Sequence, residues 1–400
     1  MRVLHITPTY EPAWDQGGVV RSVSQLCRGL AALGVDVTVY TTDSNGRHRL
    51  QVPVNQIVEL GGVKVIYFAT KWSNRFRYSG DLARACWSTI SGFDLAHLTT
   101  FWCYPGIPAG QAARRFKVSY VVSPRGTFIR YPLRQKLLKK WFYMKLVEWK
   151  NLRGAAAIHY TTEMERELTA HLGLKVPSFI VPNGIDPAEF DNLPSRAESR
   201  MYFGLPPGAR VVAFYGRLHA TKALDILISS FADVIEEIPE SHLLLAGPDD
   251  GHEQTLRSLA GSLRIQNYVH FLGYVNPEER KRVLAATDLF ALVSYSENFG
   301  NAAVEAMMAG VPVLLSNNVG IYREVETDGA GRAVPVDNRA ISQALIELLS
   351  NPARLEAMGQ RARQSARQRY GIEAIARKML VAYEDILMRR NSPECLWSLP

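Results

Sequence analysis

Short runs that are apolar on both faces alternate with helix-patterned stretches along the whole chain, and this limits the fold more than any other feature. The first half carries 2-RVLHITP-8, 35-VDVTVYTT-42, 63-VKVIYF-68, 94-DLAHLTT-100, 120-YVVSP-124 and 155-AAAIHYTT-162. A strand that is apolar on both faces needs cover on both faces, and strands separated by helices run parallel. The plan begins again with 210-RVVAFYGRL-218, 242-HLLLAG-247, 268-YVHFLGYV-275, 288-DLFALVSY-295 and 311-VPVLLS-316. Two doubly wound α/β domains in series are the expectation. The stretch 176-VPSFIVPNGIDPAEFDNLP-194 is rich in Pro, Asn, Asp and Gly and marks the boundary, giving domains over 1–185 and 186–371. The last helical pattern, 372–390, has an apolar face that would return it to the first domain, and the closing NSPECLWSLP lacks periodicity.

A 47% hydrophobic content over 400 residues suffices for two cores. The opening MRVLHITPTY reads as a first strand and not as a signal peptide, and no run reaches the ~18 to 20 apolar residues of a membrane span. A cytoplasmic protein is expected, at most peripheral on the inner face of a membrane. Cys27, Cys86, Cys103 and Cys395 show no C-x-x-C spacing, which fits reduced thiols better than a disulfide framework or a zinc site. The net charge of +8 is concentrated between Arg125 and Arg153, where nine basic residues meet the single acid Glu148. Within it, 133–151 is patterned as a helix with Lys136, Lys139, Lys140 and Lys150 in one sector and Leu133, Leu137, Trp141 and Met144 in another. Lys145 and Arg134 interrupt the apolar side, so an anionic membrane surface and a solvated, partly packed helix are both open readings. No recognised nucleic-acid module surrounds the segment, and nucleic acid is not expected as a partner.

The stretch 294-SYSENFGNAAVEAMMAGVPV-313 carries the most chemistry. A strand ends near Ser294 to Ser296, Asn301 is a suitable N-cap for a helix over 302–309, and Gly310 with Pro312 stops it. Glu297 then lies in a loop at the carboxyl edge of the sheet, where open α/β folds bind ligands, and Glu305 lies about one turn into the helix. Between them the amides of Phe299 to Ala303 can face an anion. Hydroxyls at two ends and an anion between them describe a nucleotide sugar. Spacing alone fits as well a Glu305 that complements the helix dipole and a Glu297 that is an ordinary loop acid.

Other segments bear on that choice. In 214-FYGRLHATKALDILI-228 a strand ends at Arg217 and Lys222 opens the next helix, two cations suited to neutralise a departing diphosphate. A surface Arg beside a snorkelling Lys would look the same. Gly17 and Gly18 in 16-QGGVVRSV-23 open a helix after the first strand and let backbone approach an anion or a sugar, although two glycines also make an ordinary tight turn. Neither G-x-G-x-x-G nor a P-loop occurs. His97, placed at the end of 94-DLAHLTTFW-102, could donate to a hexose hydroxyl or a leaving phosphate, or be a satisfied core histidine.

Taken together, Gly17 and Gly18, His97, Arg217 with Lys222, and the Glu297 to Glu305 block resemble the retaining glycosyltransferases of family 4, along almost the whole chain. The resemblance implies a GT-B fold, two Rossmann-like domains facing each other across a cleft. It implies that Arg217 and Lys222 hold the donor diphosphate, that Glu297 with the backbone of Phe299, Gly300 and Asn301 reads the hexose, and that Glu305 binds the ribose. Gly17 and Gly18 would border phosphates and acceptor, His97 the reacting hexose, and Tyr274 and Val275 the base. The loop 219-HATKA-223 departs from the family's usual Pro and second Lys before the key lysine and its Gly after it, and the longer glycine motif of starch and glycogen synthases is missing from DQGGVVRSV. Neither a cofactor nor a metal is implied. The donor expected first is UDP-glucose, and the acceptor a saccharide or lipid-linked saccharide in polysaccharide or glycoconjugate assembly. The alternative is a nucleotide-sugar epimerase on the same architecture, which would release an altered nucleotide sugar with no acceptor present; a catalytically idle binding scaffold is a third.

Overall fold

The computed structural model describes residues 1–46, 48–71, 76–99, 102–128 and 148–391. The chain divides into a first unit, Met1–Gly184 joined by the segment from Ile372, and a second unit, Ile185–Gly371.

In the first unit the strands are β1 (Arg2–Ile6), β2 (Asp36–Thr42), the short antiparallel ribbon β3 (Ser44–Asn45) and β4 (His48–Arg49), β5 (Ile57–Leu60), β6 (Val63–Phe68), β7 (Leu95–Thr99), β8 (Ser119–Ser123), β9 (Ala157–Tyr160) and β10 (Ser178–Ile180). The main sheet runs β10-β9-β8-β7-β1-β2-β6-β5. Its pairs are parallel except β5 with β6, a hairpin turned through Gly61 and Gly62 at φ 59° and 79°. Alternation along each strand sends Val3, Val39, Leu95 and Val121 to one face, where Val23, Leu26 and Leu30 of the helix Gly18–Ala32 and Ile375, Met379 and Tyr383 of the helix Ile372–Asn391 cover them. Leu4, Ala96, Leu98 and Val122 face the other way, against Leu82 of the helix Gly80–Thr89 and Ala109 of the helix Gly106–Arg115. A strand residue buried on either face leaves no polar side, which is why these runs read as uniformly apolar.

The second unit has β11 (Arg210–Tyr215), β12 (Ser241–Ala246), β13 (Val269–Gly273), β14 (Leu289–Leu292), β15 (Val313–Ser316) and β16 (Gly331–Val334), all parallel, in the order β13-β12-β11-β14-β15-β16. Leu243, Leu244 and Leu245 are fully buried because β12 lies between two strands and under helices on both faces. The sheet order makes β11 and β14 neighbours, Val212 opposite Leu289, so the loops that leave their carboxyl ends lie side by side. Gly247, at φ 135°, ends β12 where a Cβ would stand 1.9 Å from the Gly216 carbonyl oxygen, so the loop that carries Arg217 passes in backbone contact with its neighbour.

Three expectations are adjusted. The strand before Arg217 ends at Tyr215, and Lys222 closes a 3-10 turn, Ala220–Lys222, ahead of the helix Leu224–Glu237 instead of opening that helix. The cap of the helix Asn301–Met308 is Gly300, at φ 101°, with Asn301 its first residue; a Cβ at Gly300 would come within 2.9 Å of Val319 Cγ1, so only glycine takes this turn. Residues 129–147, the greater part of the basic segment, lie outside the described residues, as does Cys395. Cys27 and Cys86 are free and buried, each thiol pushed up to about 12 by burial. No helix among the described residues is long and apolar enough to cross a membrane.

Candidate functional site

The two carboxylates of the Ser294 to Val313 stretch both belong to the second unit, and each is held by a different element. Glu297 stands in the loop after β14, its amide donating to Asn318 O at 3.0 Å and its carbonyl accepting from the Gly320 amide at 2.9 Å. That backbone ladder fixes where its side chain points, and the carboxylate is ion-paired with Lys222 Nζ. Lys222 comes from the loop after β11, and the amide of Tyr295 donates to Thr221 O at 2.9 Å, binding the two loops together. Ala223, directly after Lys222, adopts φ 51°. A side chain in the left-handed region costs about 1 to 2 kcal/mol, and such strain collects at ligand sites.

Glu305 lies inside the helix Asn301–Met308 with 3% of its surface exposed. Its Oε2 accepts from the Tyr215 hydroxyl at the end of β11 and faces Arg280 Nη1 at 3.3 Å, from the helix Pro277–Ala286. Arg280 also donates to Glu189 at 3.3 Å. Tyr215 and Arg280 are site residues that sequence reasoning missed. Tyr215 offered one signal, a tyrosine closing an apolar strand just before Gly216 and Arg217; Arg280, among the charges of PEERKR, offered none. A carboxylate has about four acceptor positions, and these partners orient Glu305.

Other residues expected to meet the donor also lie in the second unit. Arg217 is 59% exposed and paired with Asp250 at 2.6 Å. Its neighbour Asp249 accepts from the amides of Gly251, His252 and Glu253 at 2.8 to 3.0 Å, which hold its carboxyl below the usual range; it serves the turn and the helix start. The Phe299 side chain is buried against Tyr370, ring centroids 5.6 Å apart, so only its backbone can face a ligand. The amide of Ala303 already donates to Gly300 O at 2.9 Å, which removes it from the expected set of anion donors. Tyr274 is 61% exposed just beyond β13, and Val275 packs against the core beside it.

In the first unit, Gly17 caps the helix Gly18–Ala32 at φ 80° and its amide donates to Trp14 O at 3.0 Å, so the turn is tight and that donor is engaged. Gly18 is exposed at the helix start. His97 is placed differently from the expected strand end. It is central in β7 and fully buried, its Nδ1 sharing a hydrogen bond of 2.6 Å with the Tyr383 hydroxyl. His5 stacks on it at 4.6 Å, and His159 meets it edge-on at 5.3 Å. The three imidazoles come from β1, β7 and β9, and parity puts all of them on the face covered by the last helix.

Burial first, then the Arg125 guanidinium, pushes His5 and His159 down to about 3. Burial, followed by His5, His159 and Arg125, holds His97 well below the imidazole range. These rings are neutral in the fold, whereas in the unfolded chain each takes a proton near pH 6.5. For His5 and His159 the contribution is therefore complete above about pH 6.5 and is lost as pH falls toward 3, by about 1.4 kcal/mol per pH unit per ring, and His97 adds a loss of the same sign. The melting temperature is expected to fall steadily between pH 6.5 and 5; a flat profile there would contradict neutral rings.

Residues 195–365 match the family model described as glycosyl transferases group 1, and residues 17–184 that described as glycosyl transferase 4-like domain. Among curated proteins, a D-inositol 3-phosphate glycosyltransferase of Kineococcus radiotolerans is 35% identical over 228 residues, 53% of this chain and 52% of that protein. The alpha-monoglucosyldiacylglycerol synthase of Streptococcus pneumoniae is 26% identical over 80% of this chain and 71% of its own. The chain spans about half the length of the first of these relatives. Among solved structures, a sucrose-phosphate synthase of Thermosynechococcus elongatus superposes with a TM-score of 0.77 at 21% identity, covering 97% of this chain and 99% of that one. HepE of Anabaena, in complex with UDP and glucose, gives 0.76 at 18%, covering 96% and 100%. At these identities the likeness is one of fold, the GT-B fold.

Proposed function

Since the chain belongs to the glycosyl transferases group 1, with a glycosyl transferase 4-like domain ahead of that match, we propose that it moves a hexose from a nucleotide sugar, UDP-glucose first, to a saccharide or lipid-linked saccharide. The observation that carries this reading is the pairing of Lys222 with Glu297 across two neighbouring loops, with the buried Glu305 about one turn into the helix that follows. In this reading Lys222 meets the diphosphate, Glu297, its ion-pair partner, meets the hexose, and Glu305 meets the ribose. HepE, of the same fold, was solved with UDP and glucose, which favours this donor class.

In the proposed reaction the bond from the anomeric carbon to the diphosphate oxygen breaks and its electron pair stays on that oxygen. Charge grows on the diphosphate, where Lys222 and Arg217 stabilise it most in the transition state. The acceptor hydroxyl forms the new bond on the same face and passes its proton to the departing phosphate oxygen, so configuration is retained. The reading assigns charge neutralisation to two side chains, without a metal ion. Lys222 has three protons and can keep Glu297 while it meets phosphate.

Thermal-shift measurements with UDP, GDP and ADP test the donor class. UDP is expected to raise the melting temperature selectively. Stabilisation by none of the three would remove the nucleotide-sugar reading.

A further inference from the structure

Three loops at the carboxyl edge of the first sheet, those after β1, β6 and β7, are tied together by one side chain. Arg77 donates from Nη2 to Gln16 Oε1 at 2.7 Å and from Nη1 to Cys103 Sγ at 3.1 Å. The amide of Tyr104 donates to Phe76 O at 2.8 Å, closing the second loop on the third. On this frame three rings meet at angles: Phe76 and Tyr104 with centroids 5.9 Å apart at 63°, Tyr78 and Tyr104 4.5 Å apart at 54°. Phe76 is 37% exposed, and Trp14, in the turn that contains Gln16, is 47% exposed.

None of Phe76, Tyr78 and Tyr104 belongs to either core of the first unit among the described residues. The backbone is strained as well: Arg77 has φ 54° and Trp102 φ 65°, two side chains in the left-handed region on adjoining loops. Each costs on the order of 1 to 3 kcal/mol and persists only where surrounding contacts impose it, a pattern typical of ligand clamps. Loops on a rigid sheet, open aromatic surface and a few fixed polar groups are the components of a small-molecule site.

We propose that Phe76, Tyr78 and Tyr104, held in place by Arg77, form a stacking platform for an uncharged sugar ring of the acceptor. The proposal rests on the transferase reading and names the acceptor class for it. A hexose has a face of C–H groups and a polar rim. The C–H face suits the electron-rich face of an aromatic ring, and the rim suits tyrosine hydroxyls and the Gln16 amide. The tilt of the rings makes a notch and not a flat apolar surface, which favours a ring-sized ligand over a bilayer. Gln16 directly precedes Gly17, so the platform continues into the glycine turn.

The test uses the full chain with UDP-glucose and, as acceptor probes, cellobiose, maltose, lactose and myo-inositol 1-phosphate. Phe76→Ala and Tyr104→Ala are expected to raise the KM for a neutral disaccharide at least tenfold while kcat changes less than threefold. Tyr104→Phe should keep most of the wild-type KM, and the melting shift given by UDP should be equal in all variants. An unchanged KM overturns the proposal, as does acceptance of the inositol phosphate with no neutral saccharide. It is also overturned if phosphatidylglycerol vesicles retain the wild type but not Phe76→Ala while the saccharide KM is unaltered. A wild type that binds no nucleotide is a different result, and removes the transferase reading itself.

Discussion

Glu297→Ala is expected to lower hexose transfer by about 10²- to 10³-fold, the usual scale for removing one group aimed at the reacting centre, while free UDP binds at least as well as before. The two halves of this expectation come from one contact. Glu297 meets the sugar end of the donor in the proposed reading, and UDP has no sugar. In the ligand-free chain the same carboxylate holds Lys222, so its removal frees a cation for the diphosphate. Glu297→Gln separates charge from shape, since it keeps the hydrogen-bonding outline and gives up the ion pair. Transfer rates set beside UDP titration calorimetry decide the matter. Equal losses of transfer and UDP affinity would mean that Glu297 supports the loop and does not read the hexose.

Glu305→Ala should show the opposite division, with UDP binding itself falling. A hydrogen bond from ribose to a carboxylate is worth about 1.5 to 3 kcal/mol, which corresponds to roughly 10- to 150-fold in Kd. Stability should fall as well, because Arg280, with a side chain only 13% exposed, would keep Glu189 at 3.3 Å and lose Glu305. Removing one partner of a buried pair costs up to about 3 to 5 kcal/mol. Tyr215→Phe serves as the control, since it takes a donor from Glu305 without touching the carboxylate. A variant that melts earlier but binds UDP as the wild type does would reduce Glu305 to a structural acid.

Much of the fold was legible because a parallel strand buried on both faces leaves a plain mark, and Leu243 to Leu245 is the clearest case. Weakly marked strands escaped. β5 has alternate residues open to solvent, and β10 and β16 are short and only partly buried. Within the site, local sequence gave Glu297, Glu305, Arg217 and Lys222 but not the contacts among them, because Lys222 and Glu297 meet only through the pairing of β11 with β14. That Gly300 takes the turn before the helix, with no room for a Cβ, depends on Val319, outside the stretch that carries the helix. His97 was the hardest residue to place. Its strand was plain, but which face it occupies, and that His5, His159 and Tyr383 converge there, is a property of strand order and of a helix nearly three hundred residues away.

That last helix has a consequence for how the protein comes into being. The second unit is contiguous, so a chain emerging from the ribosome holds everything that unit needs once Gly371 is out. The first unit, whose strands are made earlier, has the helix Gly18–Ala32 on this face of its sheet but waits for Ile375, Met379 and Tyr383 to complete the cover. Part of one apolar face of the first sheet thus stays uncovered while the whole second unit is made.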